Sequence, residues 1–321
     1  MNSADRLPFC GGTDAAAIMC SATGEPYYRS AFEVWAERHA PEAVPPREPQ
    51  EQAWLDLGTA LEAHVLGRYA AERLTPEGLA LGAPLQVPGP TGYEWMRGSL
   101  DAPIFDAEGR IVGLVDAKTS RQRHHWFAND EDGTRLEAAP VGYVWQVTWY
   151  LGLLRLAGHV HARFADLAAL DLMSASLDVR TFEHEEYRRW GPLTDTVVPW
   201  WERHIIGGER PADDHSEACK RWYSYCKPRQ KGTRQATPDE VATVQAWRKA
   251  TAARASAEAV EAACKLSVLS AMDTERLSVG EGKAAPYVQI QAGPKGSRVL
   301  RAYRFETTTP ASVAGPTGET T

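Results

Sequence analysis

The chain has little cysteine. Its five residues, Cys10, Cys20, Cys219, Cys226 and Cys264, are odd in number and widely spread. That excludes a disulfide framework and leads one to expect reduced thiols. No apolar run approaches the roughly 20 residues that span a bilayer, so no membrane partner is expected. The start MNSADRLPF has neither a basic segment nor an apolar one, so no signal peptide is expected, and the cytoplasm is the expected location. There is no internal repeat. A basic balance is missing too: 35 Lys and Arg against 42 Asp and Glu leave a net charge of −7, which argues against a general nucleic-acid binder. What is present is ordinary globular material. With 43% hydrophobic and 24% charged residues, the 321-residue chain is not wholly disordered, and it can build one large domain or a core with an appendage.

The charge is uneven. Residues 219–235, CKRWYSYCKPRQKGTRQ, hold Lys220, Arg221, Lys227, Arg229, Lys231 and Arg234 with no acid, and a second cluster, TSRQRHH, follows Lys118. Such patches on an acidic body fit a protein that touches phosphates at chosen places. They fit solvated loops equally well.

Along the chain, PFCGGTD at 8–14 is a Gly-rich turn leading into a helix with Thr13 or Asp14 near its N-cap. Ser30 and Glu33 have capping-box spacing. A Pro-rich loop over 40–50 precedes a long helix from Trp54 with apolar i, i+3, i+4 periodicity. Residues 92–119 are strand-rich, with DAEG at 106–109 as a hairpin turn. A helix from Val141 ends at Gly158. Two strands and a helix stopping at Gly207-Gly208 follow. Thr237, Pro238 and Glu240 open a helix that runs to about Asp273. A β-hairpin over 286–305 and a low-complexity tail close the chain. The expected organisation is a core over 1–210, a basic linker over 211–236, a helix and hairpin over 237–305, and a disordered tail over 306–321.

The segment IVGLVDAK reads as a buried strand, yet it ends in Asp116 and Lys118. Alternation puts both on one face, beside Leu114. Burying either charge is costly without a partner. Asp101, one hairpin earlier, can converge with Asp116, and such hard oxygen ligands make a Mg²⁺ or Mn²⁺ site. Lys118 would then act on the attacking water or on phosphate charge. A structural Asp–Lys pair at a strand end is the competing explanation. Glu62 sits inside the apolar stripe of the long helix, with Leu55, Gly58, Val65, Leu66 and Tyr69, where a carboxylate has no structural reason to be. His64 lies off that stripe. Tyr143, Gln146 and Tyr150 share a face of the helix after Pro140, and Gln146 and Tyr150, four apart, can bond one phosphate or one catalytic side chain.

The ordered set Glu62, Asp101, Asp116-Ala117-Lys118 and Gln146-x-x-x-Tyr150 resembles the PD-(D/E)XK nuclease superfamily. More narrowly, with GGTDAAAIMC and YYRSAFEVWAERH in the N-terminal region, it is similar to the YqaJ-type viral recombinase exonucleases, which are lambda-exonuclease-like. The resemblance spans roughly residues 6–210. It departs from the family pattern in Asp116, where Glu is common, and in Thr13, where Ser is common; both keep the chemistry. It implies a mixed α/β (α+β) fold with a restriction-endonuclease-like core, a central mixed sheet flanked by helices. It implies a 5′→3′ double-strand DNA exonuclease with two Mg²⁺ or Mn²⁺ ions held by Asp101, Asp116 and the Ala117 carbonyl, with Glu62 nearby. Lys118 would help the attacking water, Gln146 and Tyr150 would support the site, and Arg6 and Thr13 would hold a DNA 5′-phosphate. Arg121 and Arg123 are candidates for further phosphate contacts. The resemblance also implies a homo-oligomeric ring around double-stranded DNA and a single-strand annealing partner. In such a ring Arg121, Arg123 and the 219–235 cluster could line a basic lumen. Two alternatives stand beside this: a non-catalytic DNA-binding scaffold, and an iron–sulfur nuclease of the AddB type, for which a CxxC element is missing.

Overall fold

The structure is a computed structural model and describes residues 8–120, 127–129, 135–137, 139–183, 189–227, 233–272, 276–278, 287–292 and 298–303. The chain divides into two compact units, Met1–Arg229 and Gln230–Thr321.

Local signals start the helices of the first unit. Gly11 is extended, and helix α1 then runs Gly12–Thr23, ended by Gly24 in the left-handed region. Ser30 and Glu33 exchange cap hydrogen bonds at the start of α2, Ala31–His39. Helix α3 runs Pro49–Tyr69, starting before the expected Trp54. Pro49 takes the first helical position, where a missing N–H is no loss, so the Pro-rich loop ends at Glu48.

The central sheet is five-stranded and mixed, in the order β1 (Ala80–Leu81), β4 (Ala102–Phe105), β5 (Ile111–Ser120), β8 (Phe164–Asp171), β9 (Leu177–Glu183). Neighbours are antiparallel except β5 and β8, which are parallel. The intervening strands form two small ladders, β2 (Leu85–Pro88) with β3 (Arg97–Leu100), and β6 (Phe127–Asn129) with β7 (Arg135–Glu137). Helix α4, Val141–Leu156, links β5 to β8, and Gly158 beyond it is left-handed at φ 93°. The turn at 106–109 holds because Asp106 Oδ1 accepts from the N–H groups of Glu108 (3.1 Å) and Arg110 (2.8 Å), with Gly109 left-handed.

Strand alternation, interrupted by a bulge at Val112 in the β4–β5 ladder, splits the sheet between two cores. One face gives Leu114, Ala165, Leu167 and Ala169 to a cluster with Trp149, Leu153 and Ile18, from α4 and α1. The other gives Val112, Val115, Ala168 and Leu170 to a cluster with Val65, Tyr69 and Leu74, from α3 and the turn after it. Helix α5, Trp190–Trp201, packs through Leu193, Val197 and Trp201 on the first.

Residues 217–226, read as part of a linker, are helical instead. Helix α6, Glu217–Arg221, and the turn after it place Ala218 and Cys219 in a third cluster with Phe32, Trp35 and Ala43. Apolar residues at helical spacing among the basic ones do this. In the second unit, α7 runs Pro238–Ala271 from the Thr237–Glu240 cap, and β10 (Arg276–Ser278), β11 (Tyr287–Ala292) and β12 (Arg298–Tyr303) form an antiparallel sheet. No helix among the described residues is long and apolar enough to cross a membrane.

Close packing of α4 gives a direct test. A Cβ at Gly152 would lie 2.1 Å from the Trp190 ring. Ala at a helical site gains up to about 1 kcal/mol over Gly, but overpacking costs about 1–3 kcal/mol. At that distance the clash wins, so Gly152→Ala should lower the unfolding free energy in a urea titration.

Candidate active site

The pairing Ala102–Val115 brings Asp101 across from Asp116 at the next position along the β4–β5 ladder. Asp116 is 1% exposed. Asp101 Oδ2 accepts from the Ala117 N–H at 2.8 Å. Lys118, two residues on and on the same face, forms an ion pair with Asp116 Oδ2, an oxygen that takes no well-aligned hydrogen bond. The Lys118 ammonium also lies 5.1 Å from the centre of the Tyr143 ring.

Helix α4 covers this strand end. Gln146 Nε2 donates to Asp116 Oδ1 at 3.4 Å and to the Tyr150 hydroxyl at 3.0 Å. Burial pushes the Tyr150 hydroxyl above its usual range, and Asp116 adds to this, so it stays protonated. Glu62 is half-buried on α3, in the stripe of Val65 and Tyr69, and its charge is felt at Asp101. His64 is exposed, as its place off the stripe predicts.

The electrostatics call for a cation. Burial, then the Asp116 charge, push the Asp101 carboxyl up to about 7, and Glu62 adds in the same direction. Burial works against the Lys118 ammonium, but Asp116 and Asp101 outweigh it and hold the amine above the usual lysine range. The donor set fits a hard divalent ion: two carboxylates side by side, with the Ala117 carbonyl in the same strand. It is incomplete without water or substrate oxygens. Among the described residues no three His, Cys, Asp or Glu side chains gather closely enough to hold a metal by themselves. Glu62 therefore does not join Asp101 and Asp116 in a compact triad.

The Gly-Gly turn lies against the same group. A Cβ at Gly12 would fall 2.6 Å from the Tyr150 ring and 3.0 Å from Gln146 Cγ, so only glycine lets α1 come this close. Thr13, half-buried, is the next residue. Asp14 is not a ligand-facing residue. It is 8% exposed, accepts from the Gly11 N–H (3.1 Å), and is gripped by Arg29 (2.6 Å) and Arg38 (3.0 Å). Arg38 also donates to the Phe9 and Val34 carbonyls, and Arg29 pairs with Glu37. Sequence reading gave Arg29 and Arg38 no role, since their partner is distant along the chain. A similar omission is Asp166, a buried acid in the apolar strand FADLAALD, which accepts from the Tyr69 hydroxyl.

Arg6, Arg121 and Arg123 lie outside the described residues, as do Arg229 and Lys231. The rest of the 219–235 patch is less basic than its sequence. Glu217 comes 3.7 Å from Lys220, and Glu240 pairs with Arg234 at 2.5 Å. All five cysteines are free.

The clamp on Asp14 has a pH signature. Burial alone would raise this carboxyl, but Arg29 and Arg38 outweigh it and hold it below the usual range. Its contribution is full above the unfolded value of about 4 and is lost as pH falls through the folded one. Asp14→Ala should cost about 3–5 kcal/mol at pH 7. Urea unfolding from pH 7 to pH 3 should give a flatter stability profile for Asp14→Asn than for the parent chain.

Comparison with known proteins bears on residues 3–156, which match the family model described as the YqaJ-like viral recombinase domain. Comparison with curated proteins finds no match. A solved structure titled "Crystal structure of SSO0001" is similar at 15% identity with a TM-score of 0.30, covering 65% of this chain and 85% of that one; so low a score carries no argument. The matched segment contains Asp101, Asp116, Lys118, Gln146 and Tyr150 together with the Gly11-Gly12 turn packed against them, so the similarity to the YqaJ-like viral recombinase domain includes the whole of this site.

Proposed function

We propose that the protein is a Mg²⁺-dependent (or Mn²⁺-dependent) deoxyribonuclease, a 5′→3′ double-strand exonuclease of phage-type recombination that hydrolyses phosphodiesters and leaves 3′ single-stranded DNA. One observation carries this reading: a buried carboxylate, Asp116, a half-buried one, Asp101, and a lysine share a strand end with the Gln146–Tyr150 pair, and the N-terminus of α1 abuts them.

Asp101, Asp116 and the Ala117 carbonyl would hold the metal, two ions per site, with Glu62 nearby. Bound there, a divalent ion polarises the scissile phosphodiester and lowers the pKa of an attacking water. Lys118 keeps its proton beside Asp116 and Asp101, which suits it to orient that water and to offset charge on the phosphate. Gln146 ties Asp116 to Tyr150 and fixes the carboxylate's orientation. Tyr150, protonated, is a donor.

The first N–H groups of α1 have no acceptor within the helix and favour an anion. Thr13 and Arg6 would complete a hold on the DNA 5′-phosphate. Arg121 and Arg123 would meet backbone phosphates. The net charge of −7 is compatible with a ring whose outside is acidic and whose lumen is basic. A homo-oligomeric ring on double-stranded DNA ends and a single-strand annealing partner, in a cytoplasm, belong to this proposal.

Digestion of linear duplexes with and without a 5′-phosphate, in Mg²⁺ and in EDTA, tests metal use, end dependence and polarity together. The parent chain should degrade 5′-phosphorylated ends in Mg²⁺ alone. Asp116→Asn and Lys118→Ala should each lose about 10²-fold or more in rate while keeping the parent circular dichroism spectrum. Parent-like degradation by either variant overturns the assignment, and DNA binding without metal-dependent loss of ends would favour a scaffold.

A further inference from the structure

The loop 24–30, between α1 and α2, runs along the helix that carries Gln146 and Tyr150. Three contacts hold it. Trp145 Nε1 of α4 donates to Glu25 Oε2 at 3.0 Å. The Tyr27 ring lies so near Gly142 that a Cβ there would fall 2.1 Å from it. Arg29 Nη1 pairs with Asp14 of α1 at 2.6 Å. At its end Ser30 caps α2. A loop tied this often has little conformational freedom left to lose on binding.

Helix geometry puts the loop beside the site. Gly142 and Gln146 are four apart, so they are neighbours on one ridge of α4, about 6 Å apart along the axis. Gln146 donates to Asp116. Tyr143, next to Gly142, has the Lys118 ammonium 5.1 Å from its ring centre. Tyr27 thus sits one helical turn from the residue that holds Asp116 and next to the one that meets Lys118. Tyr28 packs on Tyr27, ring centres 4.4 Å apart at 47°. The Tyr28 side is open: it is 69% exposed.

A single exposed tyrosine is ordinary surface. Tyr28 differs in being held on a tied loop at the edge of two carboxylates and a lysine. An enzyme that removes one nucleotide after another must hold every base alike. Hydrogen bonds to base edges would discriminate between bases, and phosphate contacts leave the base free to swing. An aromatic ring stacks any base, because each has a π-face. Tyrosine does this at low entropic cost, having only two side-chain torsions to fix.

We propose that Tyr28 is a platform on which a base of the DNA strand in the site stacks, beside the phosphate that Lys118 would meet. The ligand class is an unpaired nucleobase, taken without regard to sequence. This rests on the nuclease reading above and adds to it how the nucleotide is oriented.

A cycle of protein and DNA changes tests it. Linear 5′-phosphorylated duplexes, intact or with one abasic nucleotide at the first, second or third position from the 5′ end, are digested in Mg²⁺ by the parent, Tyr28→Ala and Tyr28→Phe. The parent should lose roughly 5- to 100-fold in kcat/KM at one of the abasic positions. Tyr28→Ala should lose a similar factor on intact DNA, and less than about twofold more at that abasic position. Tyr28→Phe keeps the ring and should match the parent on every duplex. All three chains should share one circular dichroism spectrum, since Tyr28 is at the surface. Parent-like rates for Tyr28→Ala on intact DNA, full multiplicative losses when both changes are combined, or a Tyr28→Phe chain as slow as Tyr28→Ala overturn the proposal. A parent that degrades intact and abasic ends equally overturns the platform and leaves the nuclease reading standing. A parent that degrades no duplex in Mg²⁺ overturns that reading, and the platform with it.

Discussion

Two carboxylates face each other across the β4–β5 ladder, Asp116 buried and Asp101 half-buried, and the rest of the first unit is arranged around that fact. Like charges at such a distance oppose folding unless something positive or donating meets them. Lys118 comes from the same strand two residues on, so it arrives without any loop to position it. The Ala117 N–H and Gln146 add neutral donors. The compensation is partial. The Asp101 carboxyl still sits near about 7, which marks this strand end as a place with negative charge to spare.

The surroundings follow from it. Gln146 can reach Asp116 only because α4 crosses close above β5, and Trp149, Leu153 and Leu154 hold the helix there through the larger core. Helix α1 reaches Tyr150 only because residue 12 has no side chain. Its approach is then fixed from behind by Asp14 between two arginines, a group with no freedom to meet a ligand. The motif GGTD thus divides its labour: the second glycine gives proximity, the threonine stays available, and the aspartate anchors.

The parts legible in the sequence are those governed by short-range rules. Alternation in IVGLVDAK placed Asp116 and Lys118 on one face, and the caps at Ser30 and Thr237 marked two helix starts. The apolar stripe of α3 singled out Glu62 as an acid out of place. Long-range pairing was not legible. Nothing local ties Arg38 to Asp14 or Tyr69 to Asp166, since in each case one partner sits on an element whose packing the pattern does not specify. Segment 217–226 misled for the opposite reason. Its charges dominate the composition, while a few apolar residues at helical spacing decide where it packs. Helix α3 starts ahead of its apolar stripe because proline, common in loops, is also a helix starter at the first helical position.

Strand β5 carries Asp116 and Lys118 on one face and Val115 on the other; it is paired without a break from Gly113 to Lys118 against β8, while Val112 is bulged out of the β4 ladder. Alternation then works as a reading frame. Loss or gain of one residue between Gly113 and Lys118 would exchange the two faces, sending Asp116 and Lys118 to the core under α3 and Val115 to the site. No compensating substitution could repair that. A change of length is thus best absorbed at the 106–109 turn or at the Val112 bulge, ahead of the segment Gly113–Lys118, in which only identities can drift without exchanging the faces.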